Sequence, residues 1–253
     1  MPSTTSPLVE ICSAGAARVW IEQCLTMPQW MNAGRYNTRF AALQNTLDEV
    51  TRRLHEGQPC HLTVLTPDAA RSLAQAWTRR VEWLGSLGLA DTGWVTLATD
   101  TRAYDLSTPE ALRHTLRELD MLLVPDLLAS SGGRHLKQVL QQLHLADASM
   151  PPSRSFPGGA QAVAALPDHA GQRVMACAQS TEVQGSSHAR YLGPFPPPYA
   201  LATEYGVALI HPPTNLMAPE VRASTDLARQ LGLFLCDPQQ QTHRQALGFG
   251  HSH

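Results

Sequence analysis

The chain of 253 residues is 43% hydrophobic with a formal charge of −2, enough apolar material for a sizeable core and no basic excess to neutralise nucleic-acid phosphates. The arginines, among them Arg52, Arg53, Arg79, Arg80, Arg113 and Arg117, fall at helical spacing beside apolar positions and read as a solvated face, so nucleic acid is not an expected partner. The opening Met1-Pro2-Ser3 lacks the basic and apolar stretches of a secretory signal, and no window approaches the ~20 apolar residues of a membrane helix; the expectation is a cytoplasmic protein without membrane insertion.

Five cysteines, Cys12, Cys24, Cys60, Cys177 and Cys236, show no paired spacing, which predicts buried reduced thiols and no structural metal. Lys137 is the sole lysine, and it stands in a helical His-Leu-Lys-Gln-Val stretch. A P-loop needs a lysine after its glycine-rich turn to bridge the β and γ phosphates, and none is available in that context. No G-x-G-x-x-G fingerprint occurs, and no cofactor is expected.

Along the chain, Ala16, Val19, Trp20, Cys24 and Leu25 suit a short amphipathic helix. Phe40, Leu43, Leu47, Val50 and Leu54 recur three and four apart and predict a helix over 38–56, stopped by Gly57. A strand at His61–Leu65 ends at Thr66-Pro67-Asp68, where a helix starts with proline at its first position and carries Leu73, Ala76, Trp77, Val81 and Leu84 on one face. Trp94–Ala98 reads as the next strand, and Ser107-Thr108-Pro109-Glu110 opens a helix through Leu112, Leu116 and Leu119. Met121–Val124 is a third strand, closing at Pro125-Asp126 and leading through Ser130-Ser131-Gly132-Gly133 to a helix with Leu136, Val139, Leu140 and Leu143 on one side. The Pro/Gly-rich stretches 149–160 and 185–198 read as loops, with a strand at Arg173–Ala178 between them. Tyr205–Ile210, Pro219–Leu231 and Leu233–Cys236 then read as strand, helix and strand.

The fold expectation is α/β, a mainly parallel doubly wound sheet of Rossmann-like or degenerate P-loop-like kind, with a small C-terminal α+β extension. Its segments are an α/β core over 1–150, a linking region over 151–199 with one strand, and a βαβ-like extension and tail over 200–253. That last piece either extends the sheet or forms a second layer.

In open α/β sheets ligands sit outside the carboxyl ends of the strands. The expected strand ends carry Asp68, Asp100, Asp126 and His211, which share an edge if the strands are parallel. Asp100 and Asp126 are the candidate catalytic carboxylates, with Asp68 and His211 beside them; helix or turn capping is the alternative role for Asp68 and Asp100. Ser130, Ser131, Gly132, Gly133 and Arg134 form the candidate anion site, because small residues let backbone N–H groups face a concavity at a helix start. Gly185-Ser186-Ser187-His188 lacks the second glycine of a nucleophile elbow, and His251 and His253 read as a frayed tail.

Three segments resemble the N-terminal part of BcsE-type accessory proteins of bacterial cellulose secretion: Ser13-Ala14-Gly15 through Met27-Pro28, Pro109 to Arg113, and Met121 to Val124 with Gly132-Gly133 and Leu136 to Leu145. The resemblance implies a degenerate nucleotide-hydrolase-like α/β domain, while that family's R-x-G-D type motif is missing here. The functional expectation is therefore a non-catalytic binding or assembly module of a bacterial multiprotein system, with a protein partner or homo-oligomer. Its alternative is a small-molecule enzyme using the strand-end carboxylates and an anionic ligand at Ser130 to Gly133.

Overall fold

The structure is a computed structural model that describes residues 6–145, 150–213 and 218–250. The described chain forms two compact units, one drawn from 1–89 and 204–246, the other from 90–203 and 247–250. In chain order the first contains β1 (Leu8–Ala14), α1 (Arg18–Leu25), α2 (Pro28–Met31), β2 (Arg35–Ala41), α3 (Leu43–Glu56), β3 (Leu62–Leu65), α4 (Pro67–Ala76) and the first half of β4 (Val81–Leu97). The second unit takes up the rest of β4, then α5 (Pro109–Arg117), β5 (Met121–Pro125), α6 (Ser131–Gln142), β6 (Ser153–Phe156), α7 (Gly159–Ala164), β7 (Val174–Gln179), α8 (Ser180–Val183) and β8 (Ala189–Pro194). The chain re-enters the first unit along β9 (Ala202–Ile210), adds α9 (Pro219–Cys236) and α10 (Gln241–Ala246), and ends with β10 (Phe249–Gly250) in the second.

In the first unit the strand order is β2-β1-β3-β9-β4. β1 is parallel to β2 and β3, while β9 enters antiparallel to β3 with Val64 opposite Val207. Residues after 200 thus extend the N-terminal sheet. One face packs Cys12 and Leu65 under Val50 and Leu54 of α3 and Leu73 of α4. On the α9 side, Trp20 donates its indole N–H to Leu235 O. Arg244 is 5% exposed and donates to the carbonyls of Leu87, Leu235 and Asp237, tying α10 to the end of α9 and to β4.

In the second unit β4 lies between β8 and β7 and is antiparallel to both, whereas β5 is parallel to β7 and β6. Residues alternate between the two faces. Trp94, Leu122, Val124, Met175 and Cys177 pack under α5 and α6, and Val95, Leu123, Ala176 and Ala178 pack against Ala162 and Val163 of α7.

The architecture is α/β, with mixed sheets flanked by helices. The doubly wound parallel, Rossmann-like or P-loop-like arrangement is corrected by the antiparallel entry of β4, β8 and β9. Several local readings change as well. Residues 35–41 are a strand beside β1, so the helix expected over 38–56 begins only at Leu43. Val81 and Leu84 belong to β4 rather than to the preceding helix, which ends at Ala76. Leu233–Cys236 is the last turn of α9, because a short apolar run serves a buried helix as well as a strand. The stretches around 150–160 and 185–198 hold β6, α7 and β8. Residues 251–253 and 1–5, with the tail histidines and the chain start, lie outside the described residues.

Candidate functional site

Because β5, β6 and β7 are parallel, their carboxyl ends form one edge of the second unit, and α6, α7 and α8 all start there. α6 is capped by Ser130, whose hydroxyl accepts from Gly133 N at 3.3 Å. That leaves the N–H groups of Ser131 and Gly132, in the first turn, without an intrahelical acceptor. Asp126 stands just before: Oδ1 accepts from Leu128 N at 2.7 Å and Ala129 N at 2.9 Å, and these two N–H groups hold its carboxyl below the usual range. Arg134 turns back to Leu128 O and Ala129 O at 3.0 and 3.2 Å, so its guanidinium closes the 126–130 loop.

β4 contributes the remaining group. Its antiparallel register puts Thr92 directly opposite Gln179, the last residue of β7, and therefore at this same edge. Thr92 is fully buried, and its hydroxyl has no hydrogen-bond partner among the described residues. A Cβ placed on Gly132 would lie 3.8 Å from that hydroxyl and 3.5 Å from the Thr92 methyl, which puts Thr92 over the first turn of α6. A buried hydroxyl without a partner is destabilising, by roughly 1–3 kcal/mol. Beside helix N–H groups it completes a cradle of donors suited to an anion. Two residues along the same face, Trp94 stacks edge-on against Phe195 at 4.8 Å, and Phe195 in turn meets His135, which is hydrogen bonded to Tyr199 O.

The other candidate residues are placed elsewhere. β4 runs opposite to β5 and β7, so its end carries Asp100 to the edge away from Asp126. There Asp100 accepts from Tyr104 OH at 2.6 Å, Arg102 N at 2.9 Å and Thr96 Oγ1 at 3.3 Å. Burial opposes its ionisation, yet these donors and the Arg102 charge bring its carboxyl below the usual range. Asp68 and His211 belong to the first unit. Asp68 is exposed in the first turn of α4, whose cap is Thr66, and pairs with Arg71 at 3.0 Å. His211 Nε2 meets Glu82 Oε2 at 2.7 Å, and Glu82 also holds Arg229. The structure thus keeps Asp126 with Ser130–Arg134 and takes Asp100 to the other edge of the second unit, while Asp68 and His211 belong to the first. Thr92 was not visible in the sequence, since its partner across the sheet is 87 positions away at Gln179. Among the described residues no group of three or more His, Cys, Asp or Glu is placed to hold a metal, and no helix is long and apolar enough to cross a membrane.

The sequence matches no family model and no curated protein. Solved structures do match. The periplasmic molybdate-binding protein of Azotobacter vinelandii shares 12% identity at a TM-score of 0.69, over 97% of this chain and 100% of its own. The sulfate-binding protein SubI of Mycobacterium tuberculosis H37Rv shares 13% at 0.62, over 96% of this chain and 86% of its own. The regulatory domain of HypT from Salmonella typhimurium, in a bromide-bound form, shares 13% at 0.55, over 96% and 99%. These likenesses establish a shared fold.

They correct the resemblance to BcsE-type proteins, which rested on strand–helix hydrophobic patterns that any α/β unit satisfies. They also overturn the assembly-module expectation, because the fold is that of binding proteins and regulatory domains. The enzyme alternative loses its basis too: its two carboxylates sit on opposite edges, each with its local donors.

Proposed function

We propose that this chain is a binding domain for a small anion, held at the strand-end edge of the second unit against the start of α6. The observation that carries the reading is the Thr92 hydroxyl, buried, without a partner among the described residues, and facing the first turn of α6 beside Gly132. The sites proposed for the anion are Ser131 N, Gly132 N and Thr92 Oγ1, with Ser130 fixing the helix start. Asp126 and Arg134 act on the loop rather than on the ligand. Neutral donors in place of a free cation suit an ion that binds and leaves, because helix N–H groups stabilise negative charge without a counter-ion. The fold shared with molybdate-binding, sulfate-binding and bromide-bound domains supports a ligand of this class.

Isothermal titration of the whole chain with phosphate, sulfate, molybdate and bromide tests it. Saturable one-to-one binding of at least one of them is expected, weakened about tenfold or more in Thr92→Val through loss of one hydrogen bond to a charged group. The reading fails if none of the four binds, or if Thr92→Val leaves every affinity unchanged.

A further inference from the structure

Two of the five cysteines meet in the first unit. Cys12 stands on β1 and Cys60 just before β3, both buried with Val50 and Leu54 of α3 and Leu73 of α4, and their thiols are hydrogen bonded to each other. The surroundings favour negative charge on one of the two sulfurs. Arg53 is largely buried and donates to Glu49 at 2.8 Å, to Glu10 at 3.1 Å and to Pro59 O at 2.8 Å, which fixes the guanidinium beside the residue that precedes Cys60. Thr63 is directly opposite Cys12 in the parallel β1–β3 register and shares its face of the sheet, with the two backbones one strand spacing, ~4.8 Å, apart. It is fully buried, and its hydroxyl has no partner among the described residues, so a donor stands beside the Cys12 sulfur. The hydrogen bond from Cys60, with the Arg53 charge adding to it, holds the Cys12 thiol below its ordinary value against burial; the same hydrogen bond and burial push Cys60 up. Burial also raises Cys24, Cys177 and Cys236, none of which is hydrogen bonded to another thiol among the described residues.

We infer that Cys12 and Cys60 form an oxidisable thiol pair that takes hydrogen peroxide as its oxidant, with Cys12 attacking as thiolate and Cys60 closing a disulfide. The inference is independent of the anion site in the second unit. In the first step the Cys12 sulfur attacks one peroxide oxygen and the O–O bond breaks. The departing hydroxide takes the proton that the Cys12 thiol gave up, leaving water and a sulfenic acid on Cys12. In the second step the Cys60 sulfur attacks the Cys12 sulfur, the S–O bond breaks, and the Cys60 proton leaves with the hydroxide as a second water. Two electrons pass from the two sulfurs to the peroxide. Cys60 directly follows the exposed residues 57–59 and precedes the β3 ladder, which begins at Leu62, so it can shift onto Cys12 without disturbing the pairing of β3.

The test treats the full reduced chain with hydrogen peroxide at neutral pH, then maps its peptides after unfolding and alkylation. The expected product is a single Cys12–Cys60 crosslink, reversed by dithiothreitol, with Cys24, Cys177 and Cys236 still open to alkylation. Cys60→Ser should stop at the sulfenic acid, so that dimedone labels Cys12 at least about tenfold faster than Cys24 or Cys177, and Cys12→Ser should leave Cys60 unlabelled. The inference is overturned if Cys12 and Cys60 both stay open to alkylation, if the crosslink joins a different pair, or if dimedone labels Cys60 in Cys12→Ser as readily as Cys12 in Cys60→Ser. The wild-type peptide map decides the matter even if neither variant folds.

Discussion

A Cβ built on Gly133 would stand 2.0 Å from the carbonyl oxygen of Asp126, whereas one on Gly132 would make only ordinary contacts, with the Thr92 side chain from 3.5 Å and with Ser130 Oγ at 3.9 Å. The two adjacent glycines therefore have different tasks. Gly133 lets the loop after β5 pass against the first turn of α6, and Gly132 leaves open the space in front of Thr92. Gly133→Ala should destabilise the chain by about 1–3 kcal/mol, since a backbone carbonyl has to move. Gly132→Ala should fold at least as well, helped by up to ~1 kcal/mol of helix propensity, yet lose most anion affinity. Urea denaturation and anion titration of the two variants measure both effects. A stable, binding-competent Gly132→Ala variant would remove Gly132 from the cradle.

Thr92 should behave oppositely to an ordinary buried hydrogen-bonding residue. Its hydroxyl is desolvated without return, so Thr92→Val should raise stability by about 1 kcal/mol in anion-free buffer while binding weakens. Saturating anion should then raise the melting temperature of the wild type more than that of the variant. A variant less stable than the wild type without ligand would mean that the hydroxyl already has a structural role.

Much of the fold was legible because strand ends and helix starts share one grammar. Thr66 with Pro67, Thr108 with Pro109 and Ser130 with Ser131 all open helices where their residue types predict. The failures follow from period and length. Phe40 lies three residues before Leu43, so β2, a mostly exposed edge strand, merged into the helix after it. Val81 and Leu84 continued the spacing of Leu73 and Trp77, and the turn between α4 and β4, which holds Arg79 at positive φ, has no residue-type signal. At the site, Ser130 to Gly133 stood out because they are local. Thr92 did not, since the β4–β7 register decides its neighbours.

Asp100 offers a pH test at the other edge of the second unit. Its folded carboxyl titrates below the ordinary value, so the unfolded chain binds the proton more readily and ionised Asp100 stabilises the fold. That contribution is fully present above the unfolded value of roughly 3.9 and is lost as pH falls through the lower folded value. Asp100→Asn should therefore lower the melting temperature at neutral pH, and the deficit should shrink steadily below about pH 4. A deficit independent of pH would assign the loss to altered packing beside Tyr104 and Thr96.

Arg244 supplies the strongest stability prediction in the first unit. Its guanidinium is buried, and its hydrogen bonds go to three carbonyls, Leu87 O at 2.9 Å, Leu235 O at 3.0 Å and Asp237 O at 2.8 Å. Burial correspondingly lowers its affinity for the proton. Leu235 O keeps a second donor in the Trp20 indole and Asp237 O keeps one in Gln240 N, so truncation of Arg244 falls hardest on the Leu87 carbonyl, which loses its side-chain donor. Arg244→Ala should cost on the order of 3 kcal/mol, from unsatisfied buried groups together with the lost packing of the side-chain stem. Arg244→Lys should recover only part of it, because an ammonium lacks the planar fork that reaches β4 and the end of α9 together. Urea titration of the three proteins gives the ranking, and a lysine variant equal to the wild type would show that the charge rather than the fork is what the site requires.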